Sequence, residues 1–429
     1  MNPTIISPYD DYGVTIPGSK SITHRALIAG GLAAGKTVLK NDLRCEDTHH
    51  TARVLKALGV RMKRNGNHLI MEGMGGKARE HPWEKALYLG NSGTSFRLLL
   101  PVLSLVKGNF LMTGAPRMRE RPMGPLVDAL QQLGAKVSCV GDNGLPPVRI
   151  VSGGIPGGVV ALPGDASSQF LSALLLSAPY AEKDVEITVK GDLVSRPYVD
   201  VTVQVMAAFG VAVERDGYEK FSVLSGQRYE PRDYTVQGDA SSASYFWAGA
   251  AVTGNTVTTR NIHPHGKQGD IRLLAVFEDM GCTVIRESDR VSVTGGPLKG
   301  IDVNMGAMPD MVPTLAAVAL FAEGKTTIRN VGHLRFKESD RLGAVTEEWR
   351  KLGGRVDEFE DSLVVHGGEQ LYGTEVDPHD DHRLAMSLAV VGLKVPGIRI
   401  QDRACVGKSF PRFWDLWNGF TGEIGMKMT

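Results

Sequence analysis

Cysteine is scarce: Cys45, Cys139, Cys282 and Cys405 are the only four in 429 residues, and no two form a C-x-x-C pair. That usage argues against a zinc site and against a secreted disulfide framework, and it fits a reducing cytosol. An excess of one charge is missing too. With 48 basic and 47 acidic side chains the net charge is +1, so no global field draws the chain to nucleic acid or an anionic membrane, and any preference for anions has to be local. Long apolar runs are lacking: LLLPVLSLV, Leu98 to Val106, falls well short of the roughly 18 residues a membrane-spanning helix needs. The opening MNPTIISPYDDYG places Asp10 and Asp11 where a signal peptide requires its apolar run. A cytoplasmic protein without nucleic-acid or membrane partners is expected.

What remains is an ordinary globular composition, 42% hydrophobic and 22% charged, with glycine, at 51, the one excess. The length predicts two or three domains. Self-similarity then organises the chain. VLKALGVRM, ALQQLGAKV, VMAAFGVAV, VFEDMGCTV and WRKLGGRV each close a helix pattern on a glycine and pass into a strand. Those glycines, Gly59, Gly134, Gly210, Gly281 and Gly353, recur every 70-odd residues, where a helix C-cap needs φ > 0. In step with them run six turn-prone segments that each open an apolar helix pattern: PGSKS (Pro17), GNSGT (Gly90), PGDASS (Pro163), QGDASS (Gln237), MPDM (Met308) and PHDDHR (Pro378). Each unit reads helix, strand, helix, and then usually two strands. The sixth lacks its closing strands, and residues 3 to 16 are expected to complete it in space. Grouping by threes predicts an N-terminal domain of residues 18–236 and a C-terminal domain of 237–429 plus 1–17, with two crossings as a hinge; an open six-unit solenoid is the alternative.

The string Gly30-Gly-Leu-Ala-Ala-Gly35-Lys36-Thr37 matches the P-loop expression. A P-loop follows a strand and opens a helix; this segment follows a helix pattern and leads into a strand, so we read it as a repeated turn. A better anion argument lies at the six helix starts, where free N–H groups and the positive dipole end accumulate. Gly18 to Ser21, Asn91 to Thr94 and Asp165 to Gln169 put small hydroxyl and amide side chains there, although plain N-capping explains any one of them. Arg117, Arg119, Arg121, Lys337, Arg341, Arg383, Lys408 and Arg412 cluster at further turns. Lys337 and Arg341 are i, i+4, on one face of an expected helix. His379-Asp-Asp-His382, His49-His50 and His263-Pro-His265 lack the spacing of a zinc motif, and the acidic pair reads as helix caps. No metal is expected.

PGSKSITHRAL, LGNSGTSFR, TGAPRMRERPMGPLVDAL, GDASSQF, SRPYVD, MPDM, KESDRL, DDHRLAM and GKSFP, in that order over nearly the whole chain, resemble the 5-enolpyruvylshikimate-3-phosphate synthase family of enolpyruvyl transferases. The resemblance implies an α/β fold of two inside-out domains, each of three βαβαββ units. It implies transfer of the enolpyruvyl group of phosphoenolpyruvate to the 5-hydroxyl of shikimate 3-phosphate, with no cofactor, by a monomer. By motif match Lys20, Asn91, Gly93, Arg121, Gln169, Arg341, Arg383 and Lys408 would hold phosphoenolpyruvate. Lys20, Ser21, Arg25, Ser167, Ser168, Gln169, Ser195, Tyr198, Asp310, His333 and Lys337 would hold shikimate 3-phosphate. Asp310 would take the hydroxyl proton and Glu338 would serve C3, with Lys20 or Lys408 assisting. Two departures stand out: His333 replaces an Asn common in the family, and Leu98 replaces a proline of some members, beside a Gly93 that leaves room for glyphosate. The rival with the same fold and donor, the UDP-N-acetylglucosamine enolpyruvyl transferase, characteristically carries a cysteine ahead of its loop arginine; Thr113 to Arg121 contains none. A non-enzymatic repeat scaffold would bind no anion tightly.

Overall fold

Helices that are apolar on every side have to be buried, and the chain builds three in each half. A computed structural model describes residues 12–76 and 81–423. In its N-terminal half Lys20–Leu32, Gly93–Ser104 and Ser168–Ser177 are buried almost all round. In the other half Ala240–Thr253, Val312–Ala319 and His382–Val391 play that part. Each trio packs together inside and carries its sheets on the outside, the reverse of a usual α/β layering. Two separate clusters of buried side chains result. One runs from Ile22 to Val236; the other joins Val14 and Ile16 to Ala240 through Phe420.

The repeat is visible in the sheets. In the second unit His81–Tyr88 lies parallel to Gly108–Thr113, which pairs antiparallel with Val148–Ser152, and that strand in turn with Val137–Cys139. The third and fifth units repeat this order. The five repeat glycines all adopt left-handed backbone, φ 111, 85, 84, 112 and 92 for Gly59, Gly134, Gly210, Gly281 and Gly353, and so release the chain from helix to strand. The P-loop-like string crosses from the end of the helix Lys20–Leu32 into the strand Ala34–Lys40. It has the wrong order for a phosphate-cradling loop.

The described part of the N-terminal segment goes elsewhere than expected. That part, Tyr12–Thr15, does not extend the sixth unit; it pairs in parallel with Thr256–Arg260 of the fourth, Tyr12 opposite Val257. Residues 3–11 of that segment lie outside the described residues. The physical reason is an exchange. Each leading strand must pair with the strand that follows its helix, and the two segments that cross between halves trade places: Asp233–Thr235, which precedes the fourth unit's helix, pairs with Ala34–Lys40 of the first. Among the described residues the sixth unit pairs only Glu375–Val376 with Arg399–Ile400.

The crossings themselves are a near-symmetric pair. Ser19 N–H donates to the Gln237 carbonyl at 2.7 Å and Asp239 N–H to the Pro17 carbonyl at 2.9 Å. Asn41, with left-handed backbone, donates its side chain to the Val236 carbonyl, and Asn261, likewise left-handed, donates to that of Ile16. This close approach needs glycine: a Cβ on Gly18 would lie 1.8 Å from the Asn41 carbonyl oxygen, and one on Gly238 would lie 2.1 Å from that of Asn261. Gly238→Ala is therefore expected to destabilise the protein by about 1–3 kcal/mol through overpacking, read as a lower midpoint of urea unfolding. An unchanged midpoint would show that the crossing has slack.

Candidate active site

Because the buried helices point their first turns at the other half, the residues that open them meet between the halves. They line a cavity of about 400 Å³. Lys20 and Ser21, Thr94, and Ser168 with Gln169 come from the N-terminal trio, and Asp310 and Arg383 from turns that open helices of the other half. Capping is real as well: Ser92, Ser167, Asp239 and Asp381 each accept a backbone N–H in the first turn. The remaining free N–H groups and the aligned dipoles favour anions at this spot.

The C-terminal wall is a charge network around Arg341, which is only 1% exposed. Its guanidinium donates to Asp381 Oδ2 at 2.7 Å, Asp310 Oδ1 at 2.8 Å and Glu338 Oε2 at 2.8 Å. Arg383 Nη2 reaches Asp310 Oδ2 at 2.7 Å, and Lys337 Nζ lies 3.9 Å from Asp310 Oδ1. Lys337 and Arg341 do not share a helical face: the helix begins at Arg341 with Asp340 as its cap, and Lys337 is in extended backbone after the turn Gly332–Phe336. Both converge on Asp310 because that loop folds back over the helix start. Burial would raise Asp310 and Glu338. Arg383, Lys337 and Arg341 hold Asp310 well below the ordinary carboxylate range, and Arg341, Arg121 and Lys408 do the same for Glu338. Burial, partly offset by Asp310, brings Lys337 down to about 8.

A second knot joins the halves. Asp47, 1% exposed, takes Lys20 Nζ on one oxygen at 3.0 Å and Lys408 Nζ on the other at 3.2 Å. Lys408 also donates to the Asn91 carbonyl at 2.8 Å, Arg121 donates to the same oxygen at 3.3 Å, and Asn91 Nδ2 reaches the Glu338 carbonyl at 3.5 Å. Arg121 lies across the helix start at Gly93, where a Cβ would come within 2.5 Å of its Nη2. Beside it, Gln169 donates to Thr94 and accepts from Arg97 at 3.0 Å, and Arg97 reaches Ser167 at 3.4 Å. Ser195 holds left-handed backbone, φ 53, with its N–H on the Gly306 carbonyl of the other half at 3.3 Å.

The structure brings Lys20, Ser21, Arg121, Ser167, Ser168, Gln169, Ser195, Tyr198, Asp310, His333, Lys337, Glu338, Arg341 and Arg383 into the lining of one cavity. Asn91, Gly93 and Lys408 stand just behind it. Arg25 is farther back: its guanidinium is spent on Thr202, Ser172 and the carbonyls of Ser21 and Tyr198, so it braces two wall residues. Leu98 is buried in the N-terminal core and is not on the wall. Sequence reasoning missed Arg97, Asp47, Asp270 and Asp381 as parts of the network. Arg97 closes the quoted LGNSGTSFR and Asp381 sits in DDHRLAM, so both were in view; nothing local marks Asp47. Of the His379–His382 run, His379 bonds Glu348 at 2.9 Å while Asp381 is in the wall network. Glu347, Glu348 and His379 come close enough to hold a cation, but the Lys351 ammonium already sits on both carboxylates at 2.9 and 2.7 Å.

Fold and site together give an α/β protein whose cleft sets cations from both halves against paired carboxylates. A family model described as EPSP synthase (3-phosphoshikimate 1-carboxyvinyltransferase) matches residues 11–417. The 3-phosphoshikimate 1-carboxyvinyltransferase of Methanoculleus marisnigri is 48% identical over 95% of this chain and 96% of its own length, and that of Proteus mirabilis 45% identical over 94% of each. The solved EPSP synthase of Acinetobacter baumannii superimposes with a TM-score of 0.79 at 32% identity, covering 95% of both chains. The chain belongs to the EPSP synthase family.

Asp381→Ala should cost about 3–5 kcal/mol, because it strips a helix cap and leaves the buried Arg341 short of a partner. Equilibrium denaturation measures it, and a loss under 1 kcal/mol would mean that Asp310 and Glu338 suffice for Arg341.

Proposed function

We propose that this cleft transfers the enolpyruvyl group of phosphoenolpyruvate to the 5-hydroxyl of shikimate 3-phosphate and releases phosphate. The observation that carries the reading is the convergence on one cavity of cations from both halves and two ionised carboxylates of the C-terminal half, in a chain 48% identical to a 3-phosphoshikimate 1-carboxyvinyltransferase. Lys20, Arg121, Arg341, Arg383 and Lys408 receive the donor's phosphate and carboxylate, with Asn91, Gly93 and Gln169 shaping that corner. Ser21, Ser167, Ser168, Gln169, Ser195, Tyr198, His333 and Lys337 receive the acceptor, and Arg25 steadies Ser21 and Tyr198 from behind.

Asp310, ionised and on the wall, takes the 5-hydroxyl proton as that oxygen attacks C2 of the enol. C3 must gain a proton in the same step. Glu338 is a carboxylate in the empty cleft, so it becomes a donor only once the substrate loads it. The donor's anionic groups compete for Arg121 and Arg341, the guanidiniums that hold Glu338 ionised, and their own charge pushes its pKa up. The tetrahedral adduct then expels phosphate, whose charge the same cations stabilise, and C3 returns its proton to Glu338. The chain works as a cytoplasmic monomer without metal or cofactor. Its near-neutral charge sets up no field toward nucleic acid or a membrane surface, and among the described residues no helix is long and apolar enough to cross a membrane.

Phosphate release from phosphoenolpyruvate, assayed in EDTA with shikimate 3-phosphate or UDP-N-acetylglucosamine, tests the proposal. Release only with shikimate 3-phosphate is expected. Release only with the sugar nucleotide would move the chain to the rival transferase chemistry, and release with neither would refute enolpyruvyl transfer. In the same assay Arg383→Ala should raise the donor KM roughly 10- to 100-fold and Ser168→Ala the acceptor KM about 10-fold, the scale of hydrogen bonds to charged groups. Unmoved saturation curves in both would dissolve the division into donor and acceptor sides.

A further inference from the structure

One buried acid near the cavity has no part in the scheme above. Asp270 lies in the short turn Gly269–Arg272 of the C-terminal half and is 4% exposed. Ser241 donates to its Oδ2. The hydroxyl of Tyr198, from the other half, stands 3.4 Å from each of its oxygens and 3.3 Å from Asp310 Oδ2. One phenolic proton thus lies between two carboxylates, and the two are unlike. Asp310 is ion-paired with Arg341 and Arg383, whereas no salt bridge among the described residues reaches Asp270.

We propose that Asp270 stores the proton that Asp310 takes from the acceptor hydroxyl, passed to it through the hydroxyl of Tyr198. As the O5–C2 bond forms, the O5–H bond breaks onto Asp310. Asp310 passes a proton to the Tyr198 oxygen while the phenolic proton moves to Asp270, so that Asp310 is ionised again and Asp270 is neutral. When phosphate departs and takes up a proton, the transfer runs in reverse and the balance closes with no other reactant. The inference rests on the enolpyruvyl-transfer reading.

The direction of transfer follows from the charges that face the two acids. Asp310 is a poor place to keep a proton, because Arg383, Lys337 and Arg341 overcome its burial and hold its pKa well below the ordinary range. Asp270 is faced by Asp310 and Asp239, by Arg383, and by the hydroxyls of Ser241 and Tyr198. Burial first, and then the Asp310 charge, push its pKa up to about 6. Burial and the same two acids keep Tyr198 well above 10, so it acts as a neutral phenol that exchanges one proton for another. Asp270 must start each turnover ionised, and kcat should therefore fall as the pH drops through about 6.

The merely structural role for Asp270 is to hold Ser241 at the start of the helix Ala240–Thr253, and a pH profile separates the two. We would measure kcat at saturating substrates from pH 5 to 9 for the wild type, Asp270→Asn, Tyr198→Phe and the double variant. The relay predicts an acid limb near pH 6 in the wild type. It predicts that Asp270→Asn lowers the plateau on the order of 100-fold, as loss of a proton-transfer group does, and abolishes that limb. Tyr198→Phe should do the same, and the double variant should be no slower than the slower single, since both cut one path. An Asp270→Asn enzyme with the wild-type plateau and acid limb would overturn the relay, as would losses that multiply in the double variant. Should Asp270→Asn fail to fold, Tyr198→Phe decides alone: a lost limb supports the relay and a retained one overturns it. A wild type that releases no phosphate would instead refute the enolpyruvyl-transfer reading.

Discussion

Two lysines from opposite halves of the chain share a single buried carboxylate, and the rest of the cleft is arranged around that fact. Asp47 accepts Lys20 on one oxygen and Lys408 on the other. At such separations each attraction is on the order of 5 kcal/mol at an effective dielectric of 20, before desolvation is counted. Burial raises the Asp47 carboxyl, and Lys408 and Lys20 overcome it and hold the group well below the ordinary carboxylate range. The shared carboxylate offsets part of the lysines' charge where they would otherwise repel each other and Arg383. It also ties the C-terminal turn Arg403–Lys408 to the helix Glu46–Ala57.

Other contacts between the halves add to this tie. Arg117 donates to the carbonyls of Lys337 and Arg335 at 3.2 and 2.8 Å, and Ser195 reaches Gly306. Charge contacts at the buried side chains of this cavity are stronger than they would be in water. Catalytic power on this account comes mainly from fixed cations aimed at a departing phosphate, with proton transfers kept local. Closure and chemistry are one device, because neither half by itself supplies a complete anion site.

Much of this was legible in the sequence, and the limits have physical causes. The repeat showed through because a helix must end on a left-handed residue before its strand, which fixed glycine at five equivalent points. Gly18 and Gly238 read as ordinary turn residues, and only the three-dimensional exchange of strands explains why Tyr12–Thr15 joins the fourth unit. Motif residues such as Arg341 and Arg383 were found because they cluster in short quoted segments. Asp47 and Asp270 were not, since each gains its role from partners hundreds of residues or a whole half away. The Lys337–Arg341 spacing suggested a helical face, yet a cap at Asp340 begins the helix later and lets the loop deliver both side chains to Asp310 by another route.

The cavity is walled from both halves, and the chain passes between them at the paired crossings near Gly18 and Gly238. The account therefore turns on relative motion of two rigid cores. Small-angle scattering measures it most directly, by comparing the radius of gyration of the protein alone with that at saturating shikimate 3-phosphate. A smaller radius with the acceptor bound is the predicted result. Equal radii in the two states would contradict closure and leave the shared Asp47 as a static brace.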